Sequence, residues 1–260
     1  YSVGRECYGI TTATLTGGEP LVRKDIIDIA NELKKEFCNV TITTNGSLLG
    51  KCMHIGNYIK CINLSVHTLK CTRYEEIVQR QNVFHKMIFN LKKFREMYPD
   101  VEICLNIALV DGINSSEEEL IDLINFAESI NSSIKFIELF PPNSEGFVPL
   151  EYLRNFLLKR GFEKIPSLTQ KEKYSNGSVV VGLIKIFCAK ACEMESPAEY
   201  CNKYNDLFVS PDGKIKPCRS DKSEVDVLEA VKARDFELVE KGLKEAFELL
   251  GKKCIYERRS

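Results

Sequence analysis

Short runs of β-branched and apolar residues alternate along the first half of the chain with longer amphipathic stretches. Alternation with a period of two is typical of strands, and apolar residues three or four positions apart are typical of helices. The predicted strands are Thr11–Thr16, Val40–Asn45, Cys61–Val66, Val101–Leu109 and Lys135–Phe140, and the predicted helices run from about Lys24 to Lys35, from Gln79 to Met97 and from Glu117 to Ile130. This order indicates parallel βαβ units, so we expect an α/β fold built on a barrel or part of one.

The character of the sequence changes after the segment Pro141–Gly146. The pattern then predicts a helix in PLEYLRNFLLKRG, a hairpin in SVVVGLIKIF, a second hairpin around Pro211-Asp212-Gly213, and a charged amphipathic helix over Glu224–Leu250. We therefore predict two domains: a partial barrel over residues 1–143 and a small cysteine-rich subdomain over residues 144–260.

Charge and hydropathy narrow the partners that the protein can have. Lys and Arg number 36 and Asp and Glu number 37, a balance that gives no electrostatic footprint for nucleic acid or an anionic membrane. No apolar run approaches the roughly 20 residues that span a bilayer, and no signal peptide opens the chain. We expect a cytoplasmic protein with a small-molecule substrate.

The chain has eleven cysteines, which is many for a cytoplasmic domain of this size. Several, such as Cys61 and Cys104, lie in apolar runs and are predicted to be small buried side chains. A second group lies in polar, turn-rich sequence, where thiolates are better placed to bind iron. Its members are Cys188, Cys192, Cys201 and Cys218.

Polar and glycine-rich motifs follow three successive predicted strands. Gly17-Gly18-Glu19-Pro20 follows the first, and two glycines let a ligand approach the backbone closely while Glu19 offers a carboxylate to an ammonium group. The second strand ends in Thr43-Thr44-Asn45-Gly46, and the third ends in Ser65, with His67 two residues on. The carboxyl ends of barrel strands meet at one mouth, so these groups are predicted to form one site.

Taken in order, TGGEPLVRKD, TTNG and INLS resemble the motifs of radical S-adenosylmethionine (SAM) enzymes of the molybdenum cofactor biosynthesis protein A family. The segments Leu109–Asn114 and Phe136–Leu139 match further, and the resemblance covers about Gly9 to Arg219. It implies a partial (βα)6 barrel whose first strand is missing. It also implies reductive cleavage of SAM to a 5′-deoxyadenosyl radical, with GTP as the substrate and a cyclised molybdopterin precursor as the product.

The resemblance also implies which residues bind the cofactors. Gly18 and Glu19 would hold the SAM amine, while Thr43 and Ser65 would contact its methionyl or ribose portion. The predicted SAM-binding residues are Gly17, Gly18, Glu19, Pro20, Thr43, Asn45 and Ser65. Cys201 and Cys218, together with Cys188 or Cys192, would bind an auxiliary [4Fe–4S] cluster, with the turn at Gly213 bringing the first two together. An electron donor protein is the implied partner, and the pattern leaves open whether the chain forms a homodimer.

The sequence departs from the family at several positions. It has no CxxxCxxC loop for the SAM-cleaving [4Fe–4S] cluster, Cys7 stands alone, and the chain begins with Tyr1. We therefore interpret it as an N-terminally truncated piece that is inactive alone, with that cluster present only in the intact protein. Basic residues of the family are replaced by Thr14 and Cys104 in the barrel, and Tyr204, Asp206 and Phe208 replace a cysteine and two arginines further on.

These replacements remove cations that a triphosphate needs, and they leave alternatives open. The candidates for the missing charge are Lys185, Lys190, Lys203 and Arg219. One alternative is a paralogous radical SAM enzyme with another substrate, such as a peptide. The other is a barrel that binds SAM without catalysis.

Overall fold

The computed structural model describes residues 2–139, 144–167, 172–185, 206–218 and 222–249. The chain divides into two compact units, one made of residues 11–186 and the other of residues 1–10 together with 187–260. The first unit carries the predicted strand-end motifs. It is an α/β unit organised around one sheet.

That sheet has eight strands in the order β1-β2-β3-β4-β5-β8-β7-β6. The strands are β1 Thr12–Leu15, β2 Asn39–Thr44, β3 Cys61–Ser65, β4 Glu102–Ala108, β5 Ser133–Ile137, β6 Glu163–Ile165, β7 Glu172–Ser175 and β8 Val180–Ile184. Strands β1 to β5 and β8 run parallel, and β8, β7 and β6 pair antiparallel. The five predicted strands are thus confirmed in sequential order, as expected for a partial α/β barrel.

Eight α-helices are described in the two units. They are α1 Ser2–Tyr8, α2 Ile26–Glu36, α3 Cys71–Val78, α4 Phe84–Met97, α5 Glu117–Ser129, α6 Leu150–Lys159, α7 Leu228–Ala233 and α8 Phe236–Glu248. Short 3₁₀ helices occur at Pro20–Val22, Leu49–Lys51 and Met53–Asn57. No described helix has both the length and the apolar character needed to cross a membrane.

The two faces of the parallel strands differ in chemistry. Ile42, Ile62 and Ile103 are in register on one face and are at most 2% exposed. Among the helices, α2 packs against β2, α5 against β5 and α6 against β8. The other face, which we call the polar face, carries Thr43 in register with Asn63 and with Cys104. Burial of the apolar face drives the assembly of the unit, and the polar face is left for other contacts.

Two helices of this unit differ from the sequence pattern. Helix α3 was not predicted, and α4 begins at Phe84 rather than at Gln79. Gln79 and Asn82 adopt positive φ of 55° and 57°, which ends one helix before the next begins. The Glu75 carboxylate accepts hydrogen bonds from the backbone N–H groups of Val83 and Phe84 and so caps the new helix.

The sheet continues beyond the domain boundary that the sequence suggested after residue 143. Strand β8 pairs with β5 in parallel through Ile134↔Val181 and Phe136↔Leu183. Residues 144–186 therefore belong to the compact unit of the sheet rather than to the C-terminal unit. The hairpin expected within SVVVGLIKIF is displaced: this segment supplies only β8, whose antiparallel partner β7 lies before it, and β8 also extends the parallel sheet.

The C-terminal unit contains a three-stranded antiparallel sheet of β9 Phe208–Val209, β10 Lys214–Lys216 and β11 Val225–Asp226. The β9–β10 pair confirms the hairpin predicted around Gly213. The single helix predicted over Glu224–Leu250 is wrong. Val225 pairs with Ile215 in the sheet, and the helical residues break at Arg234 with φ of 55°, after which Asp235 caps α8.

Candidate functional site

The predicted SAM-binding residues of β1, β2 and β3 lie at the carboxyl ends of three neighbouring strands. Glu19 follows β1, Thr43 and Asn45 stand at the end of β2, and Ser65 is the last residue of β3. Because β1 pairs with β2 and β2 with β3 in parallel, these ends share one edge of the sheet. The structure therefore brings the three motifs together, and the binding role of each residue stays a prediction.

The Glu19 carboxylate connects the first two of these strand ends. Its Oε1 accepts a hydrogen bond from Thr44 Oγ1 at 2.6 Å and another from the Leu21 backbone N–H at 3.0 Å. Its Oε2 accepts one from the Asn45 backbone N–H at 2.8 Å. A carboxylate has about four acceptor positions, so one position on Oε2 is left for a ligand.

The glycines and the proline of the same motif have distinct positions. Gly17 has φ of 138°, a conformation that favours glycine, and a Cβ at Gly17 or Gly18 would meet nothing within 4 Å. The backbone before Glu19 is therefore open to a ligand. Pro20 is buried and begins the 3₁₀ helix whose N-terminal cap is Glu19.

Asn45 uses its side chain locally. Its Oδ1 accepts a hydrogen bond from the Ser47 backbone N–H at 2.9 Å, which closes a turn after β2. Its carbonyl accepts one from the Tyr74 hydroxyl at 2.7 Å. Asn45 thus orders the strand end, and its backbone N–H rather than its carboxamide reaches Glu19.

Thr43 and Ser65 belong to the polar face together with Asn63, Asn106 and Lys135. Lys135 Nζ donates to Asn63 Oδ1 at 3.3 Å, so a cation from β5 reaches across β4. Among the described residues, no carboxylate forms an ion pair with this ammonium group. The polar face therefore offers hydroxyls, amides and one such cation below the carboxyl edge.

The Cys61 thiol of this face is held in the protonated form. Burial raises the pKa of Cys61 to about 11, with the nearby Cys104 and Glu102 adding to the effect against Lys135. Cys104 is 3% exposed, in agreement with the expectation that it is a small buried side chain, whereas Cys61 is only partly buried. A protonated thiol such as that of Cys61 is a poor nucleophile at neutral pH.

A second junction, which the sequence did not predict, connects the carboxyl ends of β3 and β4. Asn114 Nδ2 donates to the carbonyls of His67 and Ala108, each at 2.8 Å, and its Oδ1 accepts from the Val110 N–H at 2.8 Å. His67 Nδ1 accepts from the Ala108 N–H at 3.0 Å, and burial lowers the pKa of His67. His67, which the sequence placed near the mouth, thus holds the backbone as a neutral imidazole.

A cleft of about 780 Å³ lies beyond these two strand ends. Its walls include Lys70, Arg73, Phe147 and Tyr152, and the predicted SAM-binding residues are not among its lining. Lys70 Nζ and Arg73 Nη1 both contact Glu119 Oε1, at 2.9 and 3.0 Å. The two cations therefore share one carboxylate. Because none of the predicted SAM-binding residues lines this cleft, the β1–β3 edge is kept as the candidate site.

The predicted iron–sulfur ligands are only partly within the described residues. Cys218 is half-buried and follows β10, whereas Cys188, Cys192 and Cys201 lie outside the described residues. Of the positions where family arginines were expected, Asp206 is exposed and Phe208 pairs with Lys216 in the small sheet. Lys190, Lys203, Tyr204 and Arg219 lie outside the described residues.

Comparison with known proteins identifies related sequences. Residues 4–124 match the model of the radical SAM superfamily. The chain is 30% identical over 243 residues to the probable GTP 3′,8-cyclase of Pyrobaculum aerophilum, covering 88% of this chain and 74% of the relative. It is 32% identical over 227 residues to the GTP 3′,8-cyclase of Clostridium perfringens, covering 83% and 68%. Molybdenum cofactor biosynthesis protein 1 of Homo sapiens is 29% identical over 235 residues, with 86% of this chain and 36% of that protein covered.

Among solved structures, SuiB of Streptococcus suis superposes with a TM-score of 0.59 at 19% identity. The match covers 84% of this chain and 53% of the SuiB chain, so the chain spans about half of that protein. At this level of identity the similarity concerns the fold alone.

Proposed function

This chain belongs to the GTP 3′,8-cyclase family of radical SAM enzymes, and on that basis we propose that it binds SAM at the carboxyl ends of β1, β2 and β3. The observation that carries the proposal is the Glu19 carboxylate, held by Thr44 and Asn45 with one acceptor position on Oε2 unused. The SAM amine is an ammonium group, for which a carboxylate oxygen is a strong acceptor.

Other groups of the same edge fit the rest of the cofactor. The open backbone at Gly17 and Gly18 allows close approach of the methionyl part, and the hydroxyls of Thr43 and Ser65 supply polar contacts. Bound SAM would supply, after accepting one electron from a [4Fe–4S] cluster, the radical that abstracts hydrogen from the substrate. The role of this chain's residues is to bind SAM, orient it and exclude water.

The SAM-cleaving cluster needs three cysteines in a CxxxCxxC loop, and the sequence does not contain that loop. The residues present in this sequence do not fit that cluster. The auxiliary [4Fe–4S] site at Cys188 or Cys192 with Cys201 and Cys218 stays part of the proposal, since thiolates are the usual ligands of such clusters. An electron donor protein and a reducing cytoplasmic setting are also part of the proposal, whereas the oligomeric state stays open.

GTP is the substrate that we propose first, because the related proteins are named for it. Lys135 supports this assignment, since its ammonium group is on the polar face and forms no ion pair among the described residues. A second candidate is a less charged substrate. The observation that favours it is that Thr14 and Cys104, at positions where the family has basic residues, add no charge to the described face.

Binding of SAM is tested by anaerobic equilibrium dialysis of the chain with SAM and with its analogue in which hydrogen replaces the amino group. The wild-type protein should bind SAM about tenfold more tightly than the analogue, and Glu19→Gln should lose that preference, since about 1.4 kcal/mol is expected for one charge-assisted hydrogen bond. Equal affinity of the wild-type protein for the two ligands would count against the proposal.

The two substrate candidates are separated by GTP binding. If GTP is the substrate, Lys135→Met should weaken GTP binding about tenfold, whereas Lys92→Met, an exposed lysine on α4, should leave it unchanged. Absence of GTP binding by a chain that binds SAM would favour the less charged substrate.

A further inference from the structure

Two buried hydroxyl groups underlie the predicted SAM site, and neither belongs to the residues that were predicted to bind SAM. Thr44 is the last residue of β2 and is 2% exposed. Its Oγ1 donates to Glu19 Oε1 at 2.6 Å and accepts from the Gly46 backbone N–H at 3.0 Å. The hydroxyl of Thr44 thus fixes both the carboxylate and the turn that follows the strand.

The second hydroxyl comes from helix α3. Tyr74 is 1% exposed, and its hydroxyl donates to the Asn45 carbonyl at 2.7 Å. Burial raises the pKa of Tyr74, and the negative charges of Glu19 and Glu75 add to that effect. The phenol is therefore protonated at neutral pH, and its hydroxyl donates a hydrogen bond to the Asn45 carbonyl, which precedes Gly46.

The contacts of Thr44 and Tyr74 converge on the Glu19 carboxylate, through its two different oxygens. Thr44 and the Leu21 N–H occupy Oε1 of Glu19, and the Asn45 N–H occupies one position on Oε2. Tyr74 holds the carbonyl of Asn45, the same residue whose N–H reaches Oε2. Because the backbone N–H and the carbonyl of Asn45 are both hydrogen-bonded, the Glu19 carboxylate is held in one orientation, and so is the unused acceptor position of its Oε2.

We propose that Thr44 and Tyr74 are positioning residues of the SAM site, which orient Glu19 so that Oε2 receives the ammonium group of SAM. The inference rests on the proposed function, because it needs SAM as the ligand. Neither residue touches the cofactor in this arrangement. They act through Glu19 and Asn45, and pre-organisation of an acceptor lowers the cost of binding.

The test is equilibrium dialysis of the full chain with SAM and with the analogue that lacks the amino group. Thr44→Val removes the hydroxyl at nearly constant volume and should weaken SAM binding about tenfold while leaving analogue binding unchanged. Thr44→Ser keeps the hydroxyl and should bind SAM within about threefold of wild type. Tyr74→Phe should resemble Thr44→Val with a smaller loss. Thr41→Val, on the same strand with its hydroxyl in no described hydrogen bond, is the matched control.

The analogue separates positioning from simple stabilisation of the fold. If Thr44→Val weakens both ligands equally, or weakens neither, the inference is wrong. If Thr44→Val does not fold, Thr44→Ser and Tyr74→Phe decide by the same ratio of affinities. A wild-type chain that binds SAM and its analogue alike overturns the proposed function itself. A different outcome is possible, in which the wild-type chain prefers SAM and both Thr44→Val and Tyr74→Phe keep that preference. This outcome would overturn only the positioning role.

Discussion

The carboxyl ends of the parallel strands are tied together at two places, by different chemical groups. Between β1 and β2 the tie is the Glu19 carboxylate, which accepts from Thr44 and Asn45. Between β3 and β4 it is the Asn114 carboxamide, 0% exposed, which donates to His67 and Ala108.

The difference between the two ties is in what they leave unused. Both N–H groups of the Asn114 carboxamide are engaged with backbone carbonyls, so this tie only fixes architecture. The Glu19 carboxylate is half-buried, carries a charge and keeps an acceptor position on Oε2. A neutral group whose N–H donors are all used suits a structural junction. A charged group that keeps an unused acceptor position suits a junction that meets a ligand.

The largest effect on stability is expected at Asn114, whose neutral carboxamide joins the ends of β3 and β4. Asn114→Ala leaves two carbonyls and the Val110 N–H without their partner in a buried place, and should lower the free energy of unfolding by about 3 kcal/mol. Urea unfolding measures this loss. Asn155→Ala, an exposed asparagine on α6, should change stability by less than about 0.5 kcal/mol. Equal stability of the two variants would mean that Asn114 is not a structural tie.

A smaller loss of stability is expected from a substitution at Gly46, in the turn that follows β2. Gly46 has φ of 77°, and a Cβ there would lie 2.6 Å from Leu64 Cδ1 and 3.1 Å from Met87 Cγ. Gly46→Ala should therefore cost about 2 kcal/mol in stability, from backbone strain and crowding together.

The matched control is Gly177→Ala, which has φ of 91° and open space around its Cβ. Backbone strain alone should cost it about 1 kcal/mol. Thermal or urea unfolding of both variants separates crowding from strain. If Gly46→Ala is no less stable than Gly177→Ala, the packing of Leu64 and Met87 does not constrain this turn.

The smallest effect is the pH dependence of stability that His67 contributes, next to Asn114. Burial lowers the pKa of His67 below its ordinary value of 6.5, so the unfolded chain binds a proton more readily than the folded one. Stability from this group is therefore present above about pH 6.5 and is lost as the pH falls below it. His67→Asn retains an acceptor for the Ala108 N–H and should make the loss of stability between pH 7 and pH 5 shallower.

The control for this pH dependence is His85→Asn, since His85 is exposed on α4. Its unfolding free energy should follow the wild-type curve throughout the same pH range. A His67→Asn variant whose stability falls as steeply as that of the wild type would show that another group titrates in this window.

The local pattern of the sequence was sufficient for the five sequential parallel strands and for the shared edge at which the predicted site residues lie. Alternation of apolar and polar residues in segments such as VTITTN and CINLSV determines which face is buried, and burial drives β2 and β3 into the sheet. The motifs that follow these strands then lie at one edge, because parallel strands share their direction. The hairpin around Gly213 is equally local.

Only the tertiary structure decided the contacts that join distant segments. Thr44 is 25 residues from Glu19, Tyr74 is 29 from Asn45, and Asn114 is 47 from His67. The pairing of β8 with β5 is of the same kind, because it joins Ile134 to Val181, far along the chain. Periodicity records how each residue is buried, and it carries no information about which polar group a buried hydroxyl or carboxamide will find.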